Sequence, residues 1–197
     1  MEQNNKNLLG IKTLEISGFV AVMNALRLPF GKEARSETFF EVENDTDHLS
    51  YGSRSDVYFD PKDIKLLSTL VQRGDEHAKA VRGLVVYAEI DAPVYWWCEL
   101  ETYTHAGHER LSSESTMHVD CKGLTGNDLV DAKAAIPMGK RLRKTDYYSY
   151  QCLRNIVRQR HDHRLPHWHE FVKWVATLPY AKELIFVGLD IDLKEYV

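Results

Sequence analysis

The sequence predicts an α+β fold in a single domain, residues 1–197. The chain has 197 residues, of which 44% are hydrophobic and 27% charged, a composition that suits one globular domain with one core. Segments with helical spacing of apolar residues alternate with short β-branched and aromatic runs. The net charge of −4 excludes the strongly basic composition of a typical nucleic-acid-binding domain.

Two elements are predicted before residue 31. The stretch "TLEISG" alternates apolar and polar residues, which favours a strand. The following "FVAVMNALRL" has helical spacing and stops before Pro29, because proline disfavours the helical conformation of the residue before it. Residues 31–59 are predicted to be rich in loops.

The clearest helix of the first half begins after Asp60. Asp60 is a good N-cap, Pro61 fits the first helical position, and Gly74 ends the helix. The β-branched and aromatic run "GLVVYAEI" then predicts a buried strand. Pro93 favours the start of another helix in the stretch "DAPVYWWCELETY".

The second half is predicted to be mainly helical. Residues 104–126 are rich in Ser, Thr, Gly and His, which indicates an exposed loop. The stretch "NDLVDAKAAIP" returns to helix with Asn127 as its cap. A helix is predicted from Thr145 through Arg160, a second amphipathic helix from near Pro166 to before Pro179, and a final strand in "ELIFVGLDIDL".

Arg160 continues the apolar stripe of the helix that it ends. Leu153, Ile156 and Arg160 have the spacing i, i+3 and i+7, which places them on one face. A guanidinium group that points inward needs a buried partner, because an unpaired buried charge is costly.

The cysteines and the N-terminal sequence indicate a cytoplasmic protein. Cys98, Cys121 and Cys152 are far apart and form no CxxC pair, so neither a disulfide framework nor a zinc ribbon is predicted. The first residues lack the pattern of a signal peptide, and no apolar run is long enough to span a bilayer. We expect no membrane partner.

Four histidines lie between the last two predicted helices: His161, His163, His167 and His169. His-x-His pairs can chelate zinc, so a metal-dependent enzyme that uses this cluster is one alternative. Pro166 interrupts the turn between His163 and His167, and no HExxH pattern or Asp-rich partner accompanies them. Solvated histidines are therefore favoured, and we predict no metal.

A basic window surrounds the same region and contains very few acids. Guanidinium groups pair with phosphate in bidentate geometry, so the window is a candidate phosphate or nucleotide site, with a solvated basic face as the alternative. Neighbouring tyrosines could stack bases, but no known nucleic-acid-binding signature is present, so a module that binds RNA or single strands is the weaker rival. The members are Lys133, Lys140, Arg141, Arg143, Lys144, Arg154, Arg158, Arg160 and Arg164.

Two stretches, "GDEHAKAVRGLVVYAEIDAPVYWWCELETYT" and "AKAAIP", resemble segments of the flavin-dependent thymidylate synthases. In that family a Gly-His-x-Thr loop leads into a strand, an Ala-Pro helix ends in Arg-His-Arg, and Asn-Glu-x-Ser-x-Arg follows. Here Ala-Pro is residues 92–93, Thr-Tyr-Thr at 102–104 stands at Arg-His-Arg, and residues 113–118 stand at the third motif. The resemblance keeps this order over residues 14–175.

The resemblance implies a mixed β-sheet wrapped by helices, assembled as a homotetramer with active sites between subunits. In the family, FAD supplies hydride, methylene tetrahydrofolate supplies the one-carbon unit, and dUMP is methylated. The function implied for this chain is therefore pyrimidine nucleotide methylation, or a related one-carbon transfer, on a dUMP-like substrate.

The resemblance also implies site residues. Arg160 stands at the family's catalytic arginine and would polarise the pyrimidine ring electrostatically. Lys133 would bind the nucleotide phosphate. The other substrate-binding residues implied are Glu99, Glu114, Thr116 and His118, and the cofactor-binding residues implied are His77, Tyr103, Thr104 and Asn155.

The positions that would face the flavin differ from the family pattern. Arg-His-Arg is replaced by neutral side chains, and the Gly-His-x-Thr loop reads Gly-Asp-Glu-His at residues 74–77. We therefore expect the nucleotide half of the site to be better kept than the flavin half. A non-catalytic, nucleotide-binding descendant of the same fold is the main alternative function.

Overall fold

A computed structural model describes residues 8–31, 36–40 and 57–196, without the side chains of 39–40, 57–58 and 104–106. The strands are β1 (Gly10–Ser17), β2 (Phe39–Phe40), β3 (Val57–Tyr58), β4 (Val85–Pro93), β5 (His108–Ser113) and β6 (Arg141–Ser149). The helices are α1 (Phe19–Arg27), α2 (Pro61–Gln72), α3 (Val94–Leu100), α4 (Thr116–Val119), α5 (Gly126–Ala134), α6 (Tyr150–Arg160) and α7 (Pro166–Ala176).

Four strands form one sheet in the spatial order β1-β4-β6-β5, and β2 pairs separately with β3. The predicted α+β class is confirmed, and in place of mixed pairing all the pairs of this sheet are antiparallel. Each edge strand contains a bulge, at Leu14 in β1 and at Leu111 in β5, where the register shifts. Among the described residues, no helix is both long and apolar enough to cross a membrane.

The core lies between the sheet and the helices. Side chains of β4 alternate, with Val86, Ala88 and Ile90 fully buried, as expected for a strand with one covered face. Trp96 and Trp97, at 0% and 1% exposure, pack in this core.

Several helix boundaries follow the predicted signals. The Asp60 side chain accepts a hydrogen bond from the backbone N–H of Lys62, 2.9 Å away, and Pro61 opens α2. Helix α1 ends before Pro29, and Pro166 opens α7. The predicted cap Asn127 is displaced, because α5 begins at Gly126 after Thr125.

Two predictions for the second half were wrong. The helix predicted from Thr145 begins at Tyr150, and the residues before it belong to β6, whose inward side chains include the buried Asp146 and Tyr148. The predicted loop 104–126 contains β5 and α4. In β5 and β6, polar side chains face inward and pair across the two strands. The alternation of apolar and polar residues that predicts a strand is therefore missing from the sequence.

The predicted C-terminal strand was also wrong. Residues Lys182–Phe186 form a short π-helical turn, and Leu193–Glu195 form a 3-10 turn. The turn buries the three consecutive apolar side chains of Leu184, Ile185 and Phe186. A continuous apolar run does not distinguish a buried strand from a buried helical turn.

Residues 114–140, here called the helical excursion, leave the sheet between β5 and β6. Its helices α4 and α5 contain no buried residue. Its exposed large apolar side chains are Met117, Val119, Leu124, Val130 and Met138. The excursion is therefore an amphipathic surface that one copy of the described chain does not cover.

We predict that Gly18→Ala destabilises the fold much more than Gly123→Ala. Both glycines have positive φ, 95° and 80°, but a Cβ at Gly18 would overlap the carbonyl oxygen of Gly83, whereas nothing lies within 4 Å of a Cβ at Gly123. The conformation alone costs about 1–2 kcal/mol. The clash should raise the loss for Gly18→Ala to about 3 kcal/mol or more, measured by urea denaturation. Equal losses would contradict this account.

Candidate functional site

Arg160 is the centre of a polar cluster where α3, α6 and α7 meet. Its Nε donates to the Tyr103 hydroxyl at 2.9 Å, and its Nη1 donates to Glu99 Oε2 at 3.3 Å. Its guanidinium carbon lies 4.7 Å from the centre of the Trp168 ring. The side chain is 18% exposed. The predicted inward orientation is confirmed, and the buried partner is the Tyr103 hydroxyl, whereas the charged partner Glu99 lies at the surface.

Glu99 connects the members of this cluster. Its Oε2 accepts a hydrogen bond from the Trp168 indole N–H at 2.8 Å as well as from Arg160. His163 Nε2 lies 3.9 Å from the same oxygen. Glu99 is 36% exposed, so the carboxylate is at the surface of the cluster and can be reached by a ligand.

One edge of the Arg160 guanidinium remains for a ligand. Within the described part of the chain, Nη2 makes no hydrogen bond, while Nε and Nη1 are fixed by Tyr103 and Glu99. A planar guanidinium held in this way can donate from its remaining edge to a carbonyl oxygen, a carboxylate or a phosphate. The cluster can therefore bind an anionic or carbonyl-rich ring with little rearrangement of the arginine.

A histidine and a tyrosine lie beside this cluster. His167 Nε2 is 3.1 Å from the Tyr95 hydroxyl, and its Nδ1 is buried without a partner among the described residues. Burial, reinforced by the positive charge of Arg141 and opposed by Glu99, lowers the pKa of His167 below its ordinary value of 6.5. Its ring is thus held mainly neutral at physiological pH.

A buried network attaches the Tyr103 segment to the sheet. Asp146 and His108 are both fully buried, with His108 Nε2 2.7 Å from Asp146 Oδ2. Arg110 Nε donates to Asp146 Oδ1 at 3.1 Å, and its Nη1 donates to Glu101 at 2.6 Å. This hydrogen bond from Arg110 lowers the pKa of Glu101. The 3-10 turn Glu101–Ala106, which carries Tyr103, is thereby fixed to β5 and β6.

Sequence reasoning did not find this network. His108 and Asp146 are 38 residues apart and meet only because β5 pairs with β6. The His108 ring also stacks on Tyr148 at a centroid distance of 4.6 Å. No local motif marks the pair, so strand register was the signal needed to find it.

A second group of predicted site residues lies at the base of the helical excursion. Lys133 donates to the Thr116 hydroxyl, and Glu114 binds Arg143 through the guanidinium and the backbone N–H. Among the described residues, this group makes no hydrogen bond or ion pair with the Arg160 cluster. His118 is exposed on α4, and an open cleft of about 290 Å³ lies beside Glu114.

The remaining predicted site residues lie elsewhere. His77 is exposed before the 3-10 turn Ala78–Gly83, with Glu76 as its nearest acid. Asn155 accepts a hydrogen bond from Arg158 at 3.3 Å on the side of α6 away from Arg160. Thr104 belongs to the turn Glu101–Ala106, and its side chain is outside the described residues. The structure thus brings together Arg160, Glu99 and Tyr103, but not these three.

Much of the basic window is paired within the chain. Four of its members contact carboxylates on neighbouring elements: Lys140 with Asp120, Arg141 with Asp91, Arg143 with Glu114 and Lys144 with Glu101. Arg154 and Arg158 make no such pair among the described residues. The window is therefore not one continuous free basic surface.

The four histidines have separate surroundings. His163 accepts a hydrogen bond from the Leu165 backbone N–H at 3.1 Å, His167 contacts Tyr95, and His169 is exposed. The carbonyl oxygen of His161 accepts from the Tyr196 hydroxyl. Within the described residues, no group of three or more His, Cys, Asp or Glu side chains is arranged to hold a metal ion.

The fold resembles that of thymidylate synthase ThyX from Helicobacter pylori. One crystal structure of that enzyme, with FAD and dUMP, matches with a TM-score of 0.64 and 12% identity over 93% of this chain and 100% of that chain. A second complex of it with FAD and dUMP gives 0.61 and 12% over 89% and 97%.

A UMP/dUMP methylase, PolB from Streptomyces cacaoi bound with 5-Br dUMP, gives a TM-score of 0.57 and 13% identity over 91% of this chain and 92% of that one. No protein-family model and no curated protein matches the sequence. At these identities the likeness establishes a ThyX-like fold, as the sequence resemblance predicted.

We predict that His167→Phe reduces the acid sensitivity of the fold. The unfolded chain binds a proton at this position at higher pH than the folded chain, so the neutral ring contributes stability above about pH 6.5 that is lost as the pH falls toward the folded pKa. The free energy of unfolding should therefore fall less for the variant than for the wild type between about pH 7.5 and 5, measured by urea denaturation.

The matched control is His169→Phe, which changes an exposed histidine on the same helix and should keep the wild-type pH dependence. The same pH dependence in His167→Phe and in the wild type would contradict the prediction.

Proposed function

We propose that this protein binds a pyrimidine nucleotide at the Arg160 cluster and catalyses methylation, or a related one-carbon transfer, on a dUMP-like substrate. The observation that carries the proposal is the guanidinium of Arg160, fixed on two sides by Glu99 and Tyr103 and left with an unpaired edge, in a ThyX-like fold. The solved relatives with this fold were crystallised with dUMP or 5-Br dUMP.

Arg160 has the properties needed to polarise a pyrimidine ring. Its free edge can donate to a ring carbonyl oxygen, which draws electron density toward that oxygen and stabilises negative charge that develops on the ring. Stacking on Trp168 and the hydrogen bond to Tyr103 restrict its rotamer, so little ordering is needed when the ligand binds. The role is electrostatic and requires no proton transfer from arginine.

Glu99 is proposed to orient both Arg160 and the ligand. Its carboxylate holds the guanidinium and the Trp168 indole, and its exposure leaves lone pairs that can accept from a ring N–H or a sugar hydroxyl. Replacing Glu99 would therefore affect ligand binding both directly and through Arg160.

Lys133 is proposed to bind the nucleotide phosphate, with Thr116, Glu114 and His118 nearby. This group and the Arg160 cluster do not touch within the described chain. One nucleotide could therefore bind to both groups only if they meet across an interface between two subunits. This separation favours a site completed between subunits, as the family resemblance implies. We therefore propose a homo-oligomer, with the tetramer as the expected state.

The helical excursion supplies a surface for this association. Its exposed apolar side chains, among them Val130 at 63% exposure and Met138 at 55%, are unusual in number for helices that cover no core. Contiguous exposed apolar residues mark interaction sites more often than scattered ones do. A second copy that covered the excursion would also lie beside Thr116 and Lys133.

The positions that correspond to Arg-His-Arg do not fit the diphosphate of FAD. Tyr103 is 8% exposed and already bonded to Arg160 and Gln159. The Thr102 hydroxyl donates to the backbone carbonyl of Glu99. These three positions, Thr-Tyr-Thr, carry no cation to pair with a diphosphate. Methylene tetrahydrofolate stays the proposed one-carbon donor, and conversion of its methylene unit to a methyl group takes a hydride from a reduced flavin or nicotinamide that would bind outside these positions. The cytoplasm is the proposed location, since all three cysteines are free thiols.

The neutral residues at these positions favour a second candidate, a non-catalytic protein of the same fold that binds a nucleotide. The visible spectrum and turnover separate the two. Methylation of dUMP in the presence of methylene tetrahydrofolate and a reduced flavin or nicotinamide selects the enzyme, and a flavin spectrum that changes on adding dUMP identifies the reductant as flavin. A colourless protein that binds dUMP without turnover selects the non-catalytic candidate, and failure to bind any pyrimidine nucleotide rejects both.

We predict that Arg160→Ala weakens dUMP binding by about 10- to 100-fold, because hydrogen bonds to a charged group contribute about 1.5–3 kcal/mol. Arg160→Lys should not restore the affinity, since lysine lacks the planar guanidinium. Isothermal titration calorimetry measures both. The control is Arg164→Ala, because Arg164 is exposed and makes no hydrogen bond or ion pair with the described residues. Unchanged affinity in Arg160→Ala would remove this arginine from the site.

We predict that Val130→Asp and Met117→Asp dissociate the oligomer, because each places a charge on the apolar surface of the excursion. Sedimentation velocity should show a smaller species for both variants at concentrations where the wild type is associated. Leu28→Asp is the matched control, since Leu28 is 76% exposed but lies outside the excursion. A wild type that is monomeric at all concentrations would contradict the proposal.

A further inference from the structure

Three arginines on or beside α6 donate hydrogen bonds to a different kind of acceptor from the arginines that form ion pairs. Arg110, Arg141, Arg143 and Arg160 all bond to carboxylates. By contrast, Arg82, Arg154 and Arg158 bond only to neutral oxygens: the Gln151 side chain, two backbone carbonyls and the Asn155 side chain, respectively. Within the described part of the chain, none of the three forms an ion pair.

The geometry of α6 places Arg154, Arg158 and Gln151, the partner of Arg82, in one row along the helix. At 100° per residue, Gln151, Arg154, Asn155 and Arg158 occupy one side of the helix, and Arg160 lies on the opposite side. Arg82 reaches Gln151 from the 3-10 turn Ala78–Gly83, which packs against α6. On α6, Gln151, Arg154 and Arg158 follow one another at about one helical turn, which separates their Cβ atoms by roughly 5–6 Å.

Arg154 is the most constrained member of the row. It is 9% exposed, and its Nη1 donates to the carbonyl oxygens of Ile185 at 2.6 Å and Val187 at 2.8 Å. Burial lowers its pKa, the nearby charge of Asp75 opposes this without forming an ion pair, and the charge of Arg158 adds a smaller lowering. A guanidinium group this buried is costly without a counter-charge.

We propose that Arg82, Arg154 and Arg158 form a binding site for an oligophosphate, a ligand with two or more linked phosphate groups. Guanidinium groups form paired, charge-assisted hydrogen bonds with phosphate oxygens, and a row of them suits linked phosphates better than a single one. The fixed Arg154 sets the centre of the site, while the exposed Arg82 and Arg158 supply the ends. The site faces away from Arg160, so it does not depend on the proposed function.

The test is calorimetric titration of the whole protein with inorganic pyrophosphate. Arg82→Gln and Arg158→Gln should each weaken pyrophosphate binding about tenfold, because each removes charge-assisted hydrogen bonds. The double variant should bind pyrophosphate no more tightly than the wild type binds orthophosphate. Both residues are exposed, so the fold should be retained, which circular dichroism checks. Arg164→Gln, with the same change in charge, should bind pyrophosphate like the wild type.

Titrations with ADP and FAD identify the source of the phosphates. If ADP or FAD binds more tightly than pyrophosphate, and both variants lose the same affinity for it, the site is assigned to the diphosphate of a nucleotide. If ADP and FAD bind equally or more weakly than pyrophosphate, the site is assigned to inorganic oligophosphate. Binding of dUMP at the Arg160 cluster should not change in the variants. No binding of pyrophosphate to the wild type, or equal affinity in the wild type and the double variant, would overturn the proposal.

Discussion

The hydrogen bonds of the buried Asp146 carboxylate hold together β5, β6 and the turn that positions Tyr103 beside Arg160. Asp146 is fully buried on the central strand β6 and interacts with His108 and Arg110 of β5. Because a buried carboxylate is stable only when it is paired and hydrogen-bonded, β5 must keep its register and Arg110 must stay inward. Arg110 in turn holds Glu101, so the position of Tyr103, and through it Arg160, depends on a charge that no ligand can touch.

Aromatic packing of α7 against the core fixes the other part of the Arg160 cluster. Trp168 packs on Trp96 at a centroid distance of 5.1 Å and presents its indole N–H to Glu99. The apolar side of α7 thus joins the core while its first turn orders a surface carboxylate. The polar cluster is rigid because its members are anchored in two different parts of the structure, the buried ion pair of the sheet and the tryptophan core.

The sequence predicted the elements whose chemistry is local and missed those that depend on pairing. Proline, capping residues and apolar spacing located α1, α2, α3 and α7, and the i, i+3, i+7 spacing identified Arg160 as inward-facing. Strand β6 was misread because Asp146 and other polar side chains fill its covered face, so the apolar period of a strand is absent. The family resemblance named Arg160 and Glu99 as separate site residues but not their contact, and His108 and Asp146 carried no motif and needed the strand register.

The two bulges have a consequence for how the sheet can meet other chains. Strands β1 and β5 are the edges of the sheet, and each is interrupted at a leucine, Leu14 or Leu111, that is about half exposed. An interrupted edge offers no continuous row of backbone donors and acceptors, so edge-to-edge growth into a larger sheet, the route to ordered aggregates, is blocked at both ends. Any association with another chain is thereby directed to helical surfaces, where side chains rather than backbone groups set the partner.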